Sequence, residues 1–262
     1  MLFKRELKRN LKSFLIISLV CSALAMYVIA LAPSFGDDIQ KILDLKLPQG
    51  MQKAFGMKDL DYKSAVSFFA IMFSYIYLFY AIYLAATFAH IVSKEYSDKT
   101  AEYLYSLPAK RLHFIFVKLS VVFMYALLSV LLIFLVSWFS FGVFIKSGYD
   151  LTPVVLMAVA WLLGGMVFGS VGFLVSSFFS RTRISSAVSV GFVLFMYMFQ
   201  VVISLNDNIS VLKHFSPFDW FKGSGIANNG SLSLTYCLAA IGFSAICFYV
   251  GIWRFRKMDV LV

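Results

Sequence analysis

The clearest indication of the fold is FIFVKLSVVFMYALLSVLLIFLVSWFSFGVFI, residues 114–145. Its only charged side chain is Lys118, one turn from the start. About 20 apolar residues are enough for an α-helix to cross the hydrocarbon core of a bilayer, which is about 30 Å thick. Lipid offers the backbone no hydrogen-bond partners, so a spanning segment must satisfy its own amides. The stretch therefore predicts a membrane-spanning helix.

Five further charge-poor runs flank this one, at residues 14–32, 65–91, 153–179, 184–205 and 232–253. The 262 residues are 61% hydrophobic and 14% charged, against about 45–50% and 25% in soluble domains. This composition excludes a soluble enzyme, a disordered region and a DNA-binding domain, so we expect no nucleic acid partner. The sequence predicts an all-α integral membrane protein with one six-helix transmembrane domain over residues 1–262.

The distribution of charge predicts the orientation. If the N-terminus is cytoplasmic, the inner side holds 15 of the 23 Lys and Arg residues and five of the 13 acids, a net charge of +10. The remaining eight basic and eight acidic residues cancel on the outer side. Lys and Arg are retained on the cytoplasmic side, so both termini are predicted to be cytoplasmic.

The segment before the first span, residues 1–13, predicts an amphipathic elbow helix in the inner headgroup layer. Leu7, Leu11 and Phe14 recur at helical spacing, and basic residues occupy the remaining faces. A plain basic flank explains the spacing equally well. A cleaved signal peptide is disfavoured because the apolar run is longer than the usual signal-peptide core.

No catalytic, cofactor-binding or metal-binding residues are predicted in this chain. No acidic or basic side chain lies deep in a span, and Lys118 is expected to snorkel to the headgroups. Ser170 has no histidine on the last span to act as its base. Gly165 and Gly169 instead predict close helix packing. The sequence lacks the G-x-x-x-x-G-K-[ST] loop that would bind ATP.

The loop at residues 92–112, VSKEYSDKTAEYLYSLPAKRL, predicts a short amphipathic helix beneath the membrane. Asp98 is a suitable N-cap, and Glu102 favours the helix dipole in the first turn. Leu104 and Leu107 recur at helical spacing, and Pro108 ends the helix because the residue before a proline avoids the α region.

This loop resembles that of the membrane subunits of ABC transporters of the type-2 permease family, which have the type V exporter fold. The residues that match the family pattern, in order, are Glu95, Thr100, Glu102, Ser106, Leu107, Pro108, Arg111 and Lys118. Lys99 departs from it, since the family has Gly there. Residues 47–56, 168–183 and 214–221 are also similar to the family, so the resemblance covers nearly the whole chain.

The resemblance implies a permease whose loop helix docks on a separate P-loop ATPase, which would hold ATP and Mg. The residues implied in this ATPase coupling are Glu95, Thr100, Glu102, Leu104, Leu107, Pro108 and Arg111. The chain itself would be a transport subunit without enzymatic activity. An ordinary solvated loop is the alternative interpretation of these residues.

The resemblance also implies that two permeases, identical or homologous, pair through their first and fifth spans. Small residues four apart permit such an approach: Ser18 and Ser22 in the first span, Ser185 and Ser189 in the fifth. Packing within one subunit explains them almost as well. Residues 206–231 resemble the family's outer pair of re-entrant helices, with Phe215, Phe218, Trp220 and Phe221 as interfacial anchors.

The expected function is ATP-driven export of hydrophobic or amphipathic substrates, with peptides as the expected cargo, across the plasma membrane of a bacterium. Aromatic residues make up 18% of the chain and crowd the second and fifth spans, although core packing and lipid contact also account for them. A membrane scaffold or sensor and a secondary carrier without ATP coupling are the alternatives. A carrier would have to replace the missing membrane charges with backbone carbonyls at broken helices.

Overall fold

The computed structural model describes residues 2–44, 64–97, 111–145, 148–205 and 212–257. Helices form nearly all of these ranges. They are α1 (Leu2–Asp44), α2 (Ala65–Ser97), α3 (Arg111–Phe144), α4 (Thr152–Ser176), α5 (Thr182–Leu205), α6 (Pro217–Trp220), α7 (Gly223–Asn229) and α8 (Leu234–Arg256).

Six of these helices, α1 to α5 and α8, are long and apolar enough to cross a membrane. The prediction of an all-α membrane protein with six spans is confirmed, and the chain is a multi-pass membrane protein. The spans differ in burial: 61% of an apolar 18-residue window in each of α2 and α4 is buried, against 22% in each of α5 and α8. Helices α2 and α4 therefore form the centre of the bundle. The cytoplasmic placement of the termini stays a prediction.

Helix α1 is longer than its span requires. Its 43 residues reach about 65 Å at 1.5 Å per residue, and the backbone stays helical through Pro33. Residues 2–13, expected as an elbow, are helical and continue into the span without a break. They pack on α3, where the Tyr125 hydroxyl donates to the carbonyl oxygen of Leu7 at 2.9 Å and its ring stacks on Phe14.

Helices α2 and α4 approach closely because glycines on α4 face large side chains on α2. A Cβ at Gly165 would lie 2.6 Å from a ring carbon of Tyr80, and one at Gly169 would lie 2.8 Å from Phe88. The close packing predicted for these two glycines is confirmed. Above them, Trp161 of α4 stacks on Phe73 of α2 with ring centroids 5.1 Å apart.

The short helices α6 and α7 turn back into one end of the bundle. The Phe218 ring lies 4.8 Å from the rings of both Tyr77 and Phe168, so it fills the gap between α2 and α4. Phe218 and Phe221 are buried in the core, and the expectation that they anchor the segment at the membrane interface is wrong. Trp220 stacks on Tyr236 instead, and its Nε1 donates to the carbonyl oxygen of His214 at 2.7 Å.

Candidate functional site

An ion pair joins the two helix ends that residues 98–110 connect. Glu95 lies two residues before the end of α2, and Lys118 lies two turns into α3. Lys118 Nζ is 2.5 Å from Glu95 Oε1 and also donates to the carbonyl oxygen of Ile91 at 3.2 Å. Both side chains are buried, each with a residue exposure of 4%. The pair therefore fixes α2 to α3 directly beside the connecting segment.

Helix α1 adds a second cation and a second carboxylate. Arg9 Nη1 lies 3.2 Å from the same oxygen of Glu95, and Arg9 Nη2 lies 2.5 Å from Oε2 of Glu6. Glu6 is 1% exposed, and its Oε1 has no hydrogen-bond partner among the described residues. We call Glu6, Arg9, Glu95 and Lys118 the charge cluster.

Helix α5 is held to α2 at the same end of the bundle. His90 Nε2 lies 2.5 Å from Ser186 Oγ, and the direction of this hydrogen bond depends on the tautomer of the imidazole. The neighbouring Ser185 hydroxyl donates to the carbonyl oxygen of Ala89 at 3.1 Å. Four helices, α1, α2, α3 and α5, are thus joined by polar contacts near the segment 98–110.

The chemistry of the charge cluster suits a structural role, which is to hold α1, α2 and α3 in fixed relative positions. A buried charge costs several kcal/mol unless an opposite charge and hydrogen bonds compensate it, and here two carboxylates face two cations. A relative shift of one helix would separate at least one pair, so the cluster couples the positions of α1, α2 and α3. Within the described residues, no three His, Cys, Asp or Glu side chains are grouped so as to hold a metal ion.

The comparison with known proteins adds a family. Residues 51–261 match the family described as a protein of unknown function, DUF2705. The chain belongs to the DUF2705 family. The DUF2705 match includes α2 to α8, and therefore Glu95 and Lys118, whereas Glu6 and Arg9 precede it. No curated protein matches this DUF2705 chain.

Of the seven residues assigned to ATPase coupling, Glu95 lies in the charge cluster. Thr100, Glu102, Leu104, Leu107 and Pro108 lie outside the residues that the structure describes. Arg111 is the first residue of α3, but its side chain is also outside the described part. The coupling role of the seven stays a prediction.

The expectation that Lys118 snorkels to the headgroups is wrong, because its ammonium is buried against Glu95. A carboxylate within reach replaces the hydration that snorkelling would provide. Sequence reasoning also missed the two cluster residues of α1, since it assigned Arg9 to the polar faces of an elbow and gave Glu6 no role. One signal was available: Glu6 is the single acid among the five basic residues of segment 4–12, which indicates a local ion pair.

The four serines assigned to the dimer interface are buried inside the single chain. Ser18, Ser22, Ser185 and Ser189 are 0 to 9% exposed. Ser185 bonds to α2, and the hydroxyl of Ser189 donates to the carbonyl oxygen of Ser185 within α5 at 2.8 Å. This burial is what the alternative, packing within one subunit, predicts. Pairing of two copies stays a prediction, and the exposed apolar faces of α1 and α5 are the surfaces left for it.

At the opposite end of the bundle, the short helices hold a second titratable group. Burial raises the pKa of Asp219 to about 6, although Lys222 and Lys213 oppose the shift. Asp219 Oδ2 has no hydrogen-bond partner among the described residues. The pKa of Lys222 is lowered by burial, although the charge of Asp219 opposes this shift. The α6–α7 segment therefore carries a carboxyl group whose pKa of about 6 lies well above the usual range of an aspartate.

Proposed function

We propose that this protein is the permease subunit of an ATP-driven ABC exporter. Residues 98–110 would receive the motion of a separate P-loop ATPase, which binds ATP and Mg, and a second permease, identical or homologous, would complete the transporter. The proposed location is the plasma membrane of a bacterium, with the loop on the cytoplasmic side. The proposal rests on the family resemblance of the loop and on the charge cluster at its base.

The observation that carries the proposal is the contact of Glu95 with both Lys118 and Arg9. Helices α2 and α3 flank the segment 98–110, and α1 joins them through Arg9. A force applied to the segment would reach all three helices together, because moving one of them alone would expose or unpair a buried charge. A coupling loop needs such a rigid base, whereas an ordinary solvated loop does not.

The proposed cargo is a hydrophobic or amphipathic peptide, exported outward. On α2, Phe69, Phe73 and Tyr77 are buried in the core and cannot line a path. On α5, Phe195 and Met198 are 62% and 55% exposed, so this helix offers apolar side chains on its outer face. Two such faces from paired subunits would form an uncharged path, which suits apolar cargo better than an ion or a sugar phosphate.

The test is co-purification of the full chain with its candidate ATPase, followed by ATP turnover in nanodiscs. We expect Glu102→Arg and Leu104→Asp to lower cargo-stimulated turnover at least tenfold while membrane insertion stays intact. Ser97→Asp is the matched control, because it introduces the same charge at the exposed last residue of α2. Stimulation by amphipathic helical peptides would support the proposed cargo, and stimulation by sodium or polysaccharide instead would contradict it.

Two results would overturn the coupling role. One is the absence of any associating ATPase under conditions that keep the chain folded, which would favour a scaffold or sensor. The other is normal stimulated turnover in both loop variants. A loss of turnover in Ser97→Asp as large as in Leu104→Asp would also count against it, because the effect would then not depend on the loop helix.

One observation favours a secondary carrier as the second candidate. Glu6, whose Oε1 has no hydrogen-bond partner among the described residues, lines a small polar cavity of about 20 Å³ with Arg9, His90 and Lys118. This volume is enough for about one water molecule, and a carrier without ATP coupling would need a polar site of this kind inside the bundle. Uptake driven by a pH gradient in vesicles that contain only this chain, and its loss in Glu6→Gln, would support the carrier over the permease.

A further inference from the structure

A long apolar groove runs between α3 and α8, which line its two sides. Its walls include Phe116, Phe123 and Leu127 of α3 and Ile252 of α8, with Phe88 of α2 at its floor. The cavity volume is about 510 Å³. Both walls belong to membrane-spanning helices, so the occupant of the groove must come from within the bilayer.

The lining of the groove suits an apolar chain and has no free hydrogen-bonding or charged group for a polar ligand. Its one hydroxyl, that of Ser120, already donates to the carbonyl oxygen of Phe116 at 2.7 Å. Residues 119–145 and 234–253 contain no charged side chain. A polar or charged ligand would therefore lose its hydration in the groove without compensation.

The length of the groove corresponds to one leaflet. From Phe116 to Leu127 the α3 wall rises about 16 Å at 1.5 Å per residue, and half of the hydrocarbon core is about 15 Å. A cargo on its way across the membrane needs a path through both leaflets. A lipid acyl chain needs only one, so the depth favours a lipid.

The groove is too small to enclose a helix from a second copy. A helix about 10 Å wide and about 16 Å long occupies about 1,300 Å³, more than twice the cavity volume of about 510 Å³. A single acyl chain is much thinner than a helix and fits inside the groove. The interior of the groove therefore has the dimensions of an acyl chain, and a helix of a second copy would only cover its mouth.

A cationic side chain, that of Arg256, lies at the end of the groove that is nearest to the lipid headgroups. Arg256 follows Ile252 by four residues, so it lies one turn beyond the groove on the same side of α8. It is exposed, and among the described residues no ion pair or hydrogen bond engages its guanidinium. The neighbouring cations are engaged, since Arg254 lies over the Phe178 ring and Lys257 over the Trp253 ring. Arg256 is therefore placed to bind a phosphate.

We propose that this groove is a binding site for one anionic phospholipid, with an acyl chain between α3 and α8 and the phosphate on Arg256. The site does not depend on ATP coupling and would hold in a permease, a carrier or a scaffold. Cytoplasmic leaflets are rich in anionic lipid, which agrees with the predicted orientation of this end of the bundle.

The test is native mass spectrometry of the full chain extracted from vesicles with equal amounts of phosphatidylglycerol and phosphatidylcholine of the same acyl chains. We expect one retained phosphatidylglycerol per chain. Arg256→Gln should lower the phosphatidylglycerol to phosphatidylcholine ratio about fivefold, since one basic residue at the membrane surface contributes about 1 kcal/mol. Arg183→Gln, at an exposed arginine of α5, is the control and should leave the ratio unchanged.

A second pair of variants tests the groove itself. Leu127→Trp should remove the retained lipid by filling the cavity. Leu135→Trp is the matched control, because Leu135 lies two turns further along α3 outside the groove and is 42% exposed, against 43% for Leu127. Equal retention of both lipids by the unmodified chain would overturn the proposal. So would equal loss in the two tryptophan variants, or a dimer that Leu127→Trp dissociates, which would mean that a second copy covers the groove.

Discussion

Removal of the Lys118 ammonium tests the charge cluster most directly. Lys118→Met keeps the length of the side chain and leaves the Glu95 carboxylate buried at 4% exposure, with Arg9 at 3.2 Å. Loss of one partner from a buried ion pair costs about 3–5 kcal/mol. Since Arg9 remains in contact, we expect the lower end, about 3 kcal/mol, which is a drop of roughly a hundredfold in the folding equilibrium constant.

The assay is unfolding of the full chain in mild detergent micelles by added SDS, followed by tryptophan fluorescence. The double variant Glu95→Gln/Lys118→Met should be more stable than Lys118→Met, because no unpaired buried charge remains at the pair. Lys12→Met, at an exposed lysine of α1, serves as the control and should change the free energy of unfolding by less than about 0.5 kcal/mol. A Lys118→Met variant as stable as this control would refute the claim that the charge cluster holds α1, α2 and α3 in place.

Two further predictions concern other parts of the bundle. Gly169→Ala should destabilise the protein, because the added Cβ would lie 2.8 Å from the Phe88 ring. Gly191→Ala should stabilise α5 by about 0.5–1 kcal/mol, because the added Cβ meets open space there. The same SDS titration measures the free energy of unfolding of both variants. The raised pKa of Asp219, about 6, means that the folded state binds this proton more tightly than the unfolded state. The stabilisation of the folded state by the protonated Asp219 carboxyl is therefore complete below about pH 4 and is lost as the pH rises through 6. Asp219→Asn should accordingly reduce the decrease in melting temperature between pH 4.5 and 7. An unchanged decrease in this variant would contradict the prediction.

Much of the fold could be predicted from hydropathy alone. The spans follow from apolar runs of sufficient length, and each predicted run overlaps one long helix. The packing of Gly165 and Gly169 followed from their spacing, because small residues four apart lie on one face of a helix. The continuation of α1 through Pro33 to Asp44 was not predictable this way, since proline usually ends a helix and the apolar run stops there.

The candidate site was only partly predictable. Glu95 was found through its position in the loop pattern. The pairing of Glu95 with Lys118 and Arg9 was not, because it depends on how α1, α2 and α3 align along their axes. Hydropathy fixes the length of a span but not its vertical offset against a neighbour, and an offset of one turn, about 5.4 Å, decides whether Lys118 reaches the headgroups or a carboxylate.

The Glu95–Lys118 contact also bears on how the chain enters the membrane. Synthesis runs from the N-terminus, so α2 carries Glu95 into the bilayer before α3 arrives with its lysine. A lysine without a partner opposes the insertion of a helix. A lysine that pairs with a carboxylate already in the membrane enters as part of a neutral ion pair. We therefore expect α2 to assist the insertion of α3, and the two helices to leave the translocon together as an ion-paired hairpin.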